Sequence, residues 1–309
     1  MAPAVHEAAA REFQAQRDFL WGLCYRLTGS AADADAVVEE AFVRVLERPP
    51  ATGAWRPVLA RAAAARSMDL LRLRRHRAYV GPWLPSPVET GDAASPDAFE
   101  GVDCEPAYDE VESMALPFLL ALEELTPRQR AVLVLRAVCG CSVADAAHAL
   151  DLTFGTVKTT LQQAARMMAP YEARRMRPTR QRQRDVARTV RHLFECIQRY
   201  DAPAVADLLS PSARALSDAG GEFVAPTTPL TGRERIAKQL LKLAERGGPT
   251  RFAFRMLNGL PALLAEVPAP AAWAQRFVFQ IDVNADGRID GLFTILATRK
   301  LAAIRFEPA

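Results

Sequence analysis

The sequence predicts a multidomain protein in which two all-α helical domains, the second a helix-turn-helix, precede an α+β domain shaped as a cone. Apolar residues recur at helical spacing in residues 11–79 and 125–168, an aperiodic stretch separates these segments, and strand-like alternation dominates after residue 250. A chain of 309 residues can form two or three cores. We predict a helical domain at 1–80, a linker at 81–113, a second helical domain at 114–173, a basic linker at 174–184 and the α+β domain at 185–309.

Composition favours a cytoplasmic protein that has no membrane partner. The net charge is +3, the mean hydropathy is −0.04, and neither a signal core nor a membrane-length apolar run is apparent. Five scattered cysteines fit a reducing compartment. Cys139-Gly140-Cys141 has no second Cys/His pair nearby, so we interpret it as small residues beside a turn and expect neither a metal nor a cofactor.

The first domain reads as three helices. An apolar stripe at residues 13–27 ends at Gly29, and Ser30 or Asp33 can cap the next helix. That second helix turns valines and Phe42 inward and acids outward, and a third helix begins near Arg56. Charged outer faces are common on surface helices, so a solvated bundle explains this pattern as well as a binding surface does.

Charge is distributed in blocks. Arginines crowd residues 56–77, acids without Lys or Arg fill residues 89–112, and arginines return at residues 174–188. The basic blocks could hold a polyanion. Residues 86–106 are also rich in Pro, Gly and Ala, which predicts a flexible acidic linker.

Residues 125–168 predict a helix-turn-helix. Ser142 with Asp145 resembles a capped helix start, Asp151 can adopt the left-handed turn conformation, and Thr153 is a candidate N-cap for the next helix. With Val157 and Leu161 buried, the outward face would carry hydrogen-bonding side chains and no acid: Thr156, Lys158, Thr159, Gln162 and Gln163. An ordinary helical hairpin is the alternative interpretation.

The third domain combines early helices with later strands. We predict helices near residues 186–197, 204–209 and 233–245, a hairpin in 213–224, and strands near 252–256, 277–283, 292–297 and 303–306. Residues 282–290 resemble the start of a calcium-binding loop, but its twelfth position is Phe293, so we expect a turn at Asp286-Gly287. His192 has no evident carboxylate partner and is interpreted as a surface residue.

Two stretches together resemble an extracytoplasmic-function sigma factor of the sigma-70 superfamily. These are DADAVVEEAFVRVLE at residues 33–47 and LTPRQRAVLVLRAVCGCSVADAAHALDLTFGTVKTTLQQA at residues 125–164. The segment YVGPWLPSPV at residues 79–88 is similar to the subgroup in which a Trp-Leu-Pro element precedes a C-terminal SnoaL-like, NTF2-like domain. The resemblance implies a subunit that directs RNA polymerase to promoters, is regulated by its fused domain and is not itself an enzyme.

The resemblance also implies roles for individual residues. The clamp of the polymerase beta-prime subunit would contact the second helix at Asp33, Asp35, Glu39, Glu40, Phe42 and Arg44. The minus-ten promoter element would meet Arg61, Arg66, Arg72, Arg74, Arg75 and Arg77, and the helix that begins at Thr153 would read the minus-thirty-five element. Contacts between domains would involve Trp83, Leu84, Pro85, Asp218, Gly220 and Gly221.

This chain departs from the subgroup in two places. Asp218-Ala219-Gly220-Gly221-Glu222 stands where relatives carry an Asp-Gly-Gly-Gly-Lys-like element, and Thr298-Arg299-Lys300-Leu301 only partly matches an Asn-Pro-Asp-Lys-Leu-like motif.

Two other functions stay open: a DNA-binding regulator without initiation activity, and a fused enzyme acting on a small cyclic substrate. The cone could also hold a small ligand, and Trp83 could pack back on its own helical bundle instead of joining domains.

Overall fold

The computed structural model describes residues 3–50, 55–76, 79–90, 107–247 and 251–306. These residues form two compact units. The helical unit comprises residues 3–50, 55–76, 107–114 and 118–173, and the sheet unit comprises 79–90, 115–117, 174–247 and 251–306. Arg77, Cys104, most of the predicted acidic linker and the side chain of Arg75 lie outside the described residues. No helix in these ranges is both long and apolar enough to span a membrane.

The helical unit begins with three helices, α1 (Pro3–Thr28), α2 (Ala31–Leu46) and α3 (Trp55–His76). Gly29, at φ 66°, ends α1. The Ser30 hydroxyl oxygen then accepts a hydrogen bond from the Asp33 amide at 3.2 Å, so Ser30 rather than Asp33 is the N-cap of α2. The apolar spacing predicts the buried residues, which include Leu20, Leu23 and Leu27 of α1, Val37, Val38 and Val45 of α2, and Ala60, Ala63 and Ala64 of α3.

Residues 107–173 also contain α4 (Glu110–Met114), α5 (Leu116–Glu123), α6 (Pro127–Leu133), a π-helical turn (Val134–Val138), α7 (Val143–Leu150) and α8 (Phe154–Glu172). Residues 107–113, predicted as linker, are folded here. Glu112 is fully buried and accepts a hydrogen bond from the Tyr171 hydroxyl at 3.1 Å. Aromatic packing of Tyr108 on Phe118 also holds this segment, which composition alone did not indicate.

The sheet unit contains α9 (Arg180–Gln198), α10 (Ala202–Leu208), α11 (Arg233–Ala244) and α12 (Thr298–Leu301). Its six strands are β1 (Leu209–Asp218), β2 (Leu230–Thr231), β3 (Arg251–Leu257), β4 (Leu260–Glu266), β5 (Arg276–Val283) and β6 (Ile289–Ile295). The sheet order is β2-β1-β6-β5-β4-β3, in which β1 and β6 are parallel and the other pairs antiparallel. Apolar residues of α9, α10 and α11 pack on one face of the sheet.

Several predicted elements of this unit differ from the structure. The predicted hairpin at 213–224 is wrong, because β1 continues to Asp218 and its antiparallel partner is β2. Residues 303–306 form no strand, and helix α9 begins inside the predicted basic linker. Strand β4 was not predicted, because its residues 260–265 are all buried and their sequence therefore does not alternate between apolar and polar residues.

The turn between β5 and β6 is confirmed at Asp286-Gly287. Gly287 has φ 78°, and its amide donates to the Asn284 carbonyl at 3.1 Å. The flanking segments are antiparallel strands, and Phe293 is buried, so this is a hairpin and not a calcium-binding helix-loop-helix. Within the described ranges no group of three or more His, Cys, Asp or Glu side chains could hold a metal ion.

Candidate nucleic-acid interface

Helices α7 and α8 are joined by a tight turn. The Ser142 hydroxyl accepts from the Asp145 amide at 3.1 Å, and the Asp145 carboxylate accepts from the Ser142 amide at 3.3 Å. Asp thus completes a reciprocal capping box in which Glu or Gln is more usual. Asp151 ends α7 at φ 55°, in the left-handed conformation that Asp tolerates.

Helix α8 presents a polar face. Thr153 caps it by accepting from the Thr156 amide at 3.2 Å, and Val157, Thr160, Ala164 and Met168 form the buried face. Thr160 is buried where the sequence analysis expected Leu161, which is only half-buried. Lys158, Thr159, Gln162 and Gln163 are exposed, whereas Thr156 is half-buried.

Two threonine hydroxyls of this face already have partners. Thr159 donates to the Gly155 carbonyl at 3.0 Å, and the hydroxyl oxygens of Thr153 and Thr156 are 2.8 Å apart. These hydroxyls can still accept hydrogen bonds, while Lys158, Gln162 and Gln163 supply donors. Two further side chains of α8 were not among the predicted contacts: Phe154, which is 61% exposed at the start of the helix, and Arg166, which is exposed further along it.

The arginines of α3 are engaged with acids of their own unit. Arg66 contacts Glu40 at 2.7 Å, Arg72 contacts Asp69 at 2.6 Å, and Arg61 lies 3.9 Å from Asp151. In each of the three pairs, both side chains are at least one-third exposed. Exposed pairs of this kind contribute about 0–1 kcal/mol, so a phosphate can replace the acid at little cost.

Arg74 has a different role from its neighbours. It donates to the Thr28 carbonyl at 2.6 Å and to Glu123 at 2.7 Å, and burial lowers the pKa of its guanidinium. Glu123 also accepts from Arg130, which is 1% exposed and donates to the Arg26 carbonyl at 3.0 Å. Arg74 therefore joins helices of the unit, and its prediction as a DNA contact is not retained.

Helix α2 carries the acidic face. Asp35, Glu39, Glu40 and Arg44 are exposed, and Asp33 is half-buried beside the N-cap. Asp35 accepts a hydrogen bond from the Trp21 indole at 2.9 Å. Phe42 is buried and packs edge-on against Phe13 at a centroid distance of 4.4 Å, so it belongs to the core and not to the surface. Val43, which the sequence analysis did not select, is 62% exposed between the acids.

The Trp-Leu-Pro segment lies in the sheet unit and is fixed by one buried carboxylate. Asp218, at the end of β1, is fully buried. It accepts from the Tyr79 hydroxyl at 2.6 Å, the Leu84 amide at 2.7 Å and the Gly220 amide at 3.2 Å. Leu84 and Pro85 are buried, and Val88 exchanges hydrogen bonds with Asn258.

Lys300 neutralises Asp218. Its ammonium donates to the Asp218 carboxylate and to the Leu84 carbonyl, and it lies 4.0 Å from the centroid of the Trp83 ring and 5.1 Å from that of Tyr79. Glu222 stands after Gly221, where the resemblance predicts a lysine. Here a lysine from α12 supplies the cation. We call Tyr79, Trp83, Leu84, Asp218 and Lys300 the clasp.

The two glycines after Asp218 allow the chain to approach closely. Gly220 has φ 57° and Gly221 has φ 80°. A Cβ atom at Gly220 would lie 3.1 Å from the Tyr79 hydroxyl, and one at Gly221 would lie 3.2 Å from the Val80 side chain. Both positions therefore need glycine for backbone conformation as well as for space.

The interior of the sheet unit offers little for acid-base chemistry. Among its described residues, Asp218 is the only Asp or Glu that is fully buried, and the clasp occupies it. Asp282 is paired with Arg182 at 2.9 Å, and burial raises the pKa of its carboxyl. His192 is half-exposed, 3.6 Å from Glu195.

In the helical unit, burial raises the pKa of both Cys24 and Cys139 to about 12, which excludes them as thiolate nucleophiles near neutral pH.

Comparison with known proteins identifies the chain. Residues 115–168 match the family "Sigma-70, region 4". The chain is 29% identical over 264 residues to the ECF RNA polymerase sigma factor SigJ of Mycobacterium tuberculosis, covering 83% of this chain and 81% of that protein. It is 35% identical over 156 residues to SigL, an ECF RNA polymerase sigma factor of the same organism, covering 48% of this chain and 80% of SigL.

The fold is also similar to a solved structure. The crystal structure of the M. tuberculosis extracytoplasmic function sigma factor SigJ matches with a TM-score of 0.72 at 24% identity, over 96% of this chain and 100% of that one. This likeness agrees with the order of a helical region followed by an α+β sheet domain. Together with the sequence matches, it leads to one conclusion: the chain belongs to the ECF family of RNA polymerase sigma factors.

Proposed function

We propose that this sigma factor binds core RNA polymerase in the cytoplasm through α2 and directs it to promoter DNA through α3 and a helix-turn-helix formed by α7 and α8. The observation that carries the proposal is the exposed face of α8, where Lys158, Gln162 and Gln163 supply donors and no acid intervenes. Donors at helical spacing suit phosphates and the edges of bases in a major groove. The capped start of α8 fixes the direction of this face.

The polymerase contact is assigned to the exposed part of α2. Glu39 and Glu40 lie one helical turn before the exposed Val43, and Asp35 lies one turn before Glu39, so acids and an apolar side chain share this part of α2. Phe42 supports this surface from the core. Arg61, Arg66 and Arg72 of α3 are assigned to the minus-ten region, because their acidic partners are exposed enough to be exchanged for phosphates.

The sheet unit is proposed as a regulator and not as an enzyme. It binds the segment that follows α3 through the clasp, so a change that weakens the clasp would release residues 79–90. The enzyme alternative needs an acid beside a polar partner inside the cone, and the buried acid of the described sheet unit is already engaged in the clasp. A small ligand in the cone has no observation in its favour.

The proposed DNA contacts predict two different mutant phenotypes. With the full chain bound to core polymerase, Lys158→Ala should weaken binding to all DNA sequences and make the salt dependence shallower by about one counterion. Gln162→Ala should relax base preference at one position by roughly 1–3 kcal/mol. Binding would be measured by fluorescence anisotropy on DNA from the chain's own upstream region and on variants of it.

Controls separate the alternatives. Lys238, exposed on α11, provides a matched lysine variant that should leave DNA binding unchanged. Equal, sequence-independent losses for Lys158→Ala and Gln162→Ala would contradict base readout by Gln162. Promoter binding by the chain alone, combined with no transcript when core polymerase is added, would favour the regulator without initiation activity.

A further inference from the structure

The sheet unit begins with an unusually basic segment. Residues 174–191 contain eight arginines and a single acid, Asp185. One of the arginines is used internally, because Arg182 is buried and binds Asp282 at 2.9 Å. Four others lie exposed along α9 and are named here the arginine stripe: Arg180, Arg184, Arg188 and Arg191.

The stripe is a continuous surface. Spacings of four, four and three residues keep these side chains within an arc of about 80° and along about 16 Å of helix. Acids reduce its charge only in part. Asp185 contacts Arg188 at 2.5 Å, and Glu195, beyond the stripe, lies 3.6 Å from His192. Arg191 rests over the Phe254 ring at 5.5 Å, which leaves its charge in place.

The arrangement is unfavourable for an isolated helix. Like charges four residues apart repel each other, and an exposed helix normally gains by placing acids at such positions. Arg180, Arg184 and Arg188 form two successive like-charged pairs at this spacing. A bound polyanion would neutralise these arginines and remove their mutual repulsion. No apolar side chain of α9 between Arg180 and Arg191 is exposed, and such a row of cations suits a phosphate backbone better than base edges.

Chain length restricts where the stripe can act. Helix α8 ends at Glu172 and α9 begins at Arg180, so seven residues join them. That segment spans less than about 30 Å even when fully extended. Whatever the orientation of the two units, the stripe starts within that distance of the end of α8. We propose that the arginine stripe binds the phosphate backbone of the promoter duplex next to the site bound by α8. This inference rests on the proposed DNA contact of α8.

The test compares two variants that remove equal charge from the same unit. One carries Arg180→Gln, Arg184→Gln and Arg188→Gln. The matched control carries Arg235→Gln, Lys238→Gln and Lys242→Gln on the exposed face of α11. Both are assembled with core polymerase, and DNA binding is measured between low and moderate salt on a duplex from the chain's upstream region.

The expected result is a slope of log affinity against log salt that is shallower by about 2.7 for the stripe variant, from about 0.9 per phosphate contact, with no such change for the control. A duplex shortened on the side beyond the α8 site should abolish the difference. Equal slopes for the two variants would overturn the proposal, and so would weaker binding to core polymerase with an unchanged salt slope, since that would indicate an acidic protein partner.

Lys158→Ala is measured in parallel. If it has no effect while the stripe variant has the expected one, the role of α8 fails and the stripe's affinity for DNA stands. If Lys158→Ala acts as expected and the stripe variant does not, the stripe proposal alone is wrong. Circular dichroism melting of each variant verifies that α9 and α11 remain folded.

Discussion

Asp218 shows how one side chain can position a whole segment. A fully buried carboxylate is costly unless charge and hydrogen-bonding capacity are both satisfied. Here the Tyr79 hydroxyl, the Leu84 and Gly220 amides and the Lys300 ammonium satisfy it together. Because the donors come from three distant parts of the sequence, the cost of burial is offset only when all of them are present.

Lys300→Met should therefore destabilise the clasp by about 3–5 kcal/mol, since it leaves the Asp218 carboxylate buried without its cation. Because each 1.4 kcal/mol corresponds to a factor of ten in the opening equilibrium, amide hydrogen exchange in residues 79–90 should accelerate about 100-fold or more. Adding Asp218→Asn to Lys300→Met should recover much of the loss, because no charge then remains buried. Lys238→Met on the exposed face of α11 is the control. Slow exchange in both lysine variants would show that the ion pair between Lys300 and Asp218 does not stabilise the clasp.

The buried cysteines lead to a prediction about pH. Burial raises the pKa of Cys24 and Cys139 to about 12, so the folded protein holds almost no thiolate at these positions at pH 8. Iodoacetamide should label both residues slowly in the native protein at pH 8 and rapidly after unfolding, as mass spectrometry would reveal. Rapid native labelling of Cys24 would mean that α1 opens far more readily than its packing suggests.

At the scale of elements, local capping chemistry was the most informative signal. Ser142 and Thr153, both predicted from the sequence, define the starts of α7 and α8, and Ser30, one of two predicted candidates, defines the start of α2. Strand β4 was not visible, since a buried run of Leu and Ala lacks the alternation that identifies half-exposed strands. The return strand β2 was also misplaced, because its two residues carry no pattern of their own.

The candidate surfaces were predictable only in part, because the sequence pattern does not reveal the tertiary partners of a side chain. Helical spacing identified the exposed face of α8, but it could not separate Arg61, Arg66 and Arg72 from Arg74, which differs only in its tertiary partners. The same holds for Arg26 and Arg130, because buried arginines are rare and only the fold reveals the carbonyls and acids that they bind.

The exposed face of α2 gives a prediction about the polymerase. Reversing charge with Asp35→Lys and Glu39→Lys should weaken binding to core polymerase, while the free energy of unfolding falls by only about 1 kcal/mol, because both side chains are exposed and one hydrogen bond from the Trp21 indole is lost. A pull-down with core polymerase measures the first effect and thermal melting the second. Asp207→Lys with Glu234→Lys in the sheet unit is a control of equal charge change. Wild-type affinity in the α2 variant would exclude α2 from the interface.

At the scale of the whole molecule, the chain between α3 and the acidic stretch belongs structurally to the sheet unit. The chain therefore passes between the helical unit and the sheet unit several times: after α3, between residues 90 and 107, on either side of residues 115–117, and after α8. A domain attached in this way acts at a high effective concentration on its neighbours, so contacts that would be weak between separate molecules become significant.

Trp83→Ala tests this regulatory connection. Loss of the ring removes a cation–π contact of about 2 kcal/mol in a desolvated site, which should expose residues 79–90 to protease and change transcription from the chain's own promoter. Trp273→Ala, which removes a similar contact with Arg246 at 4.1 Å in the same unit, should affect neither measurement. Transcription and proteolysis that are unchanged in both variants would contradict regulation through the clasp.

The clasp has a consequence for synthesis of the protein on the ribosome. Lys300 lies 216 residues after Leu84, whose carbonyl it binds. At about 5–20 residues per second, roughly 10–40 s pass between translation of the two residues. Residues 79–90 are thus synthesised well before Lys300 is available to bind them. A chain that terminates before residue 300 never acquires this contact. Translation through Lys300 is therefore the step that permits the clasp to close.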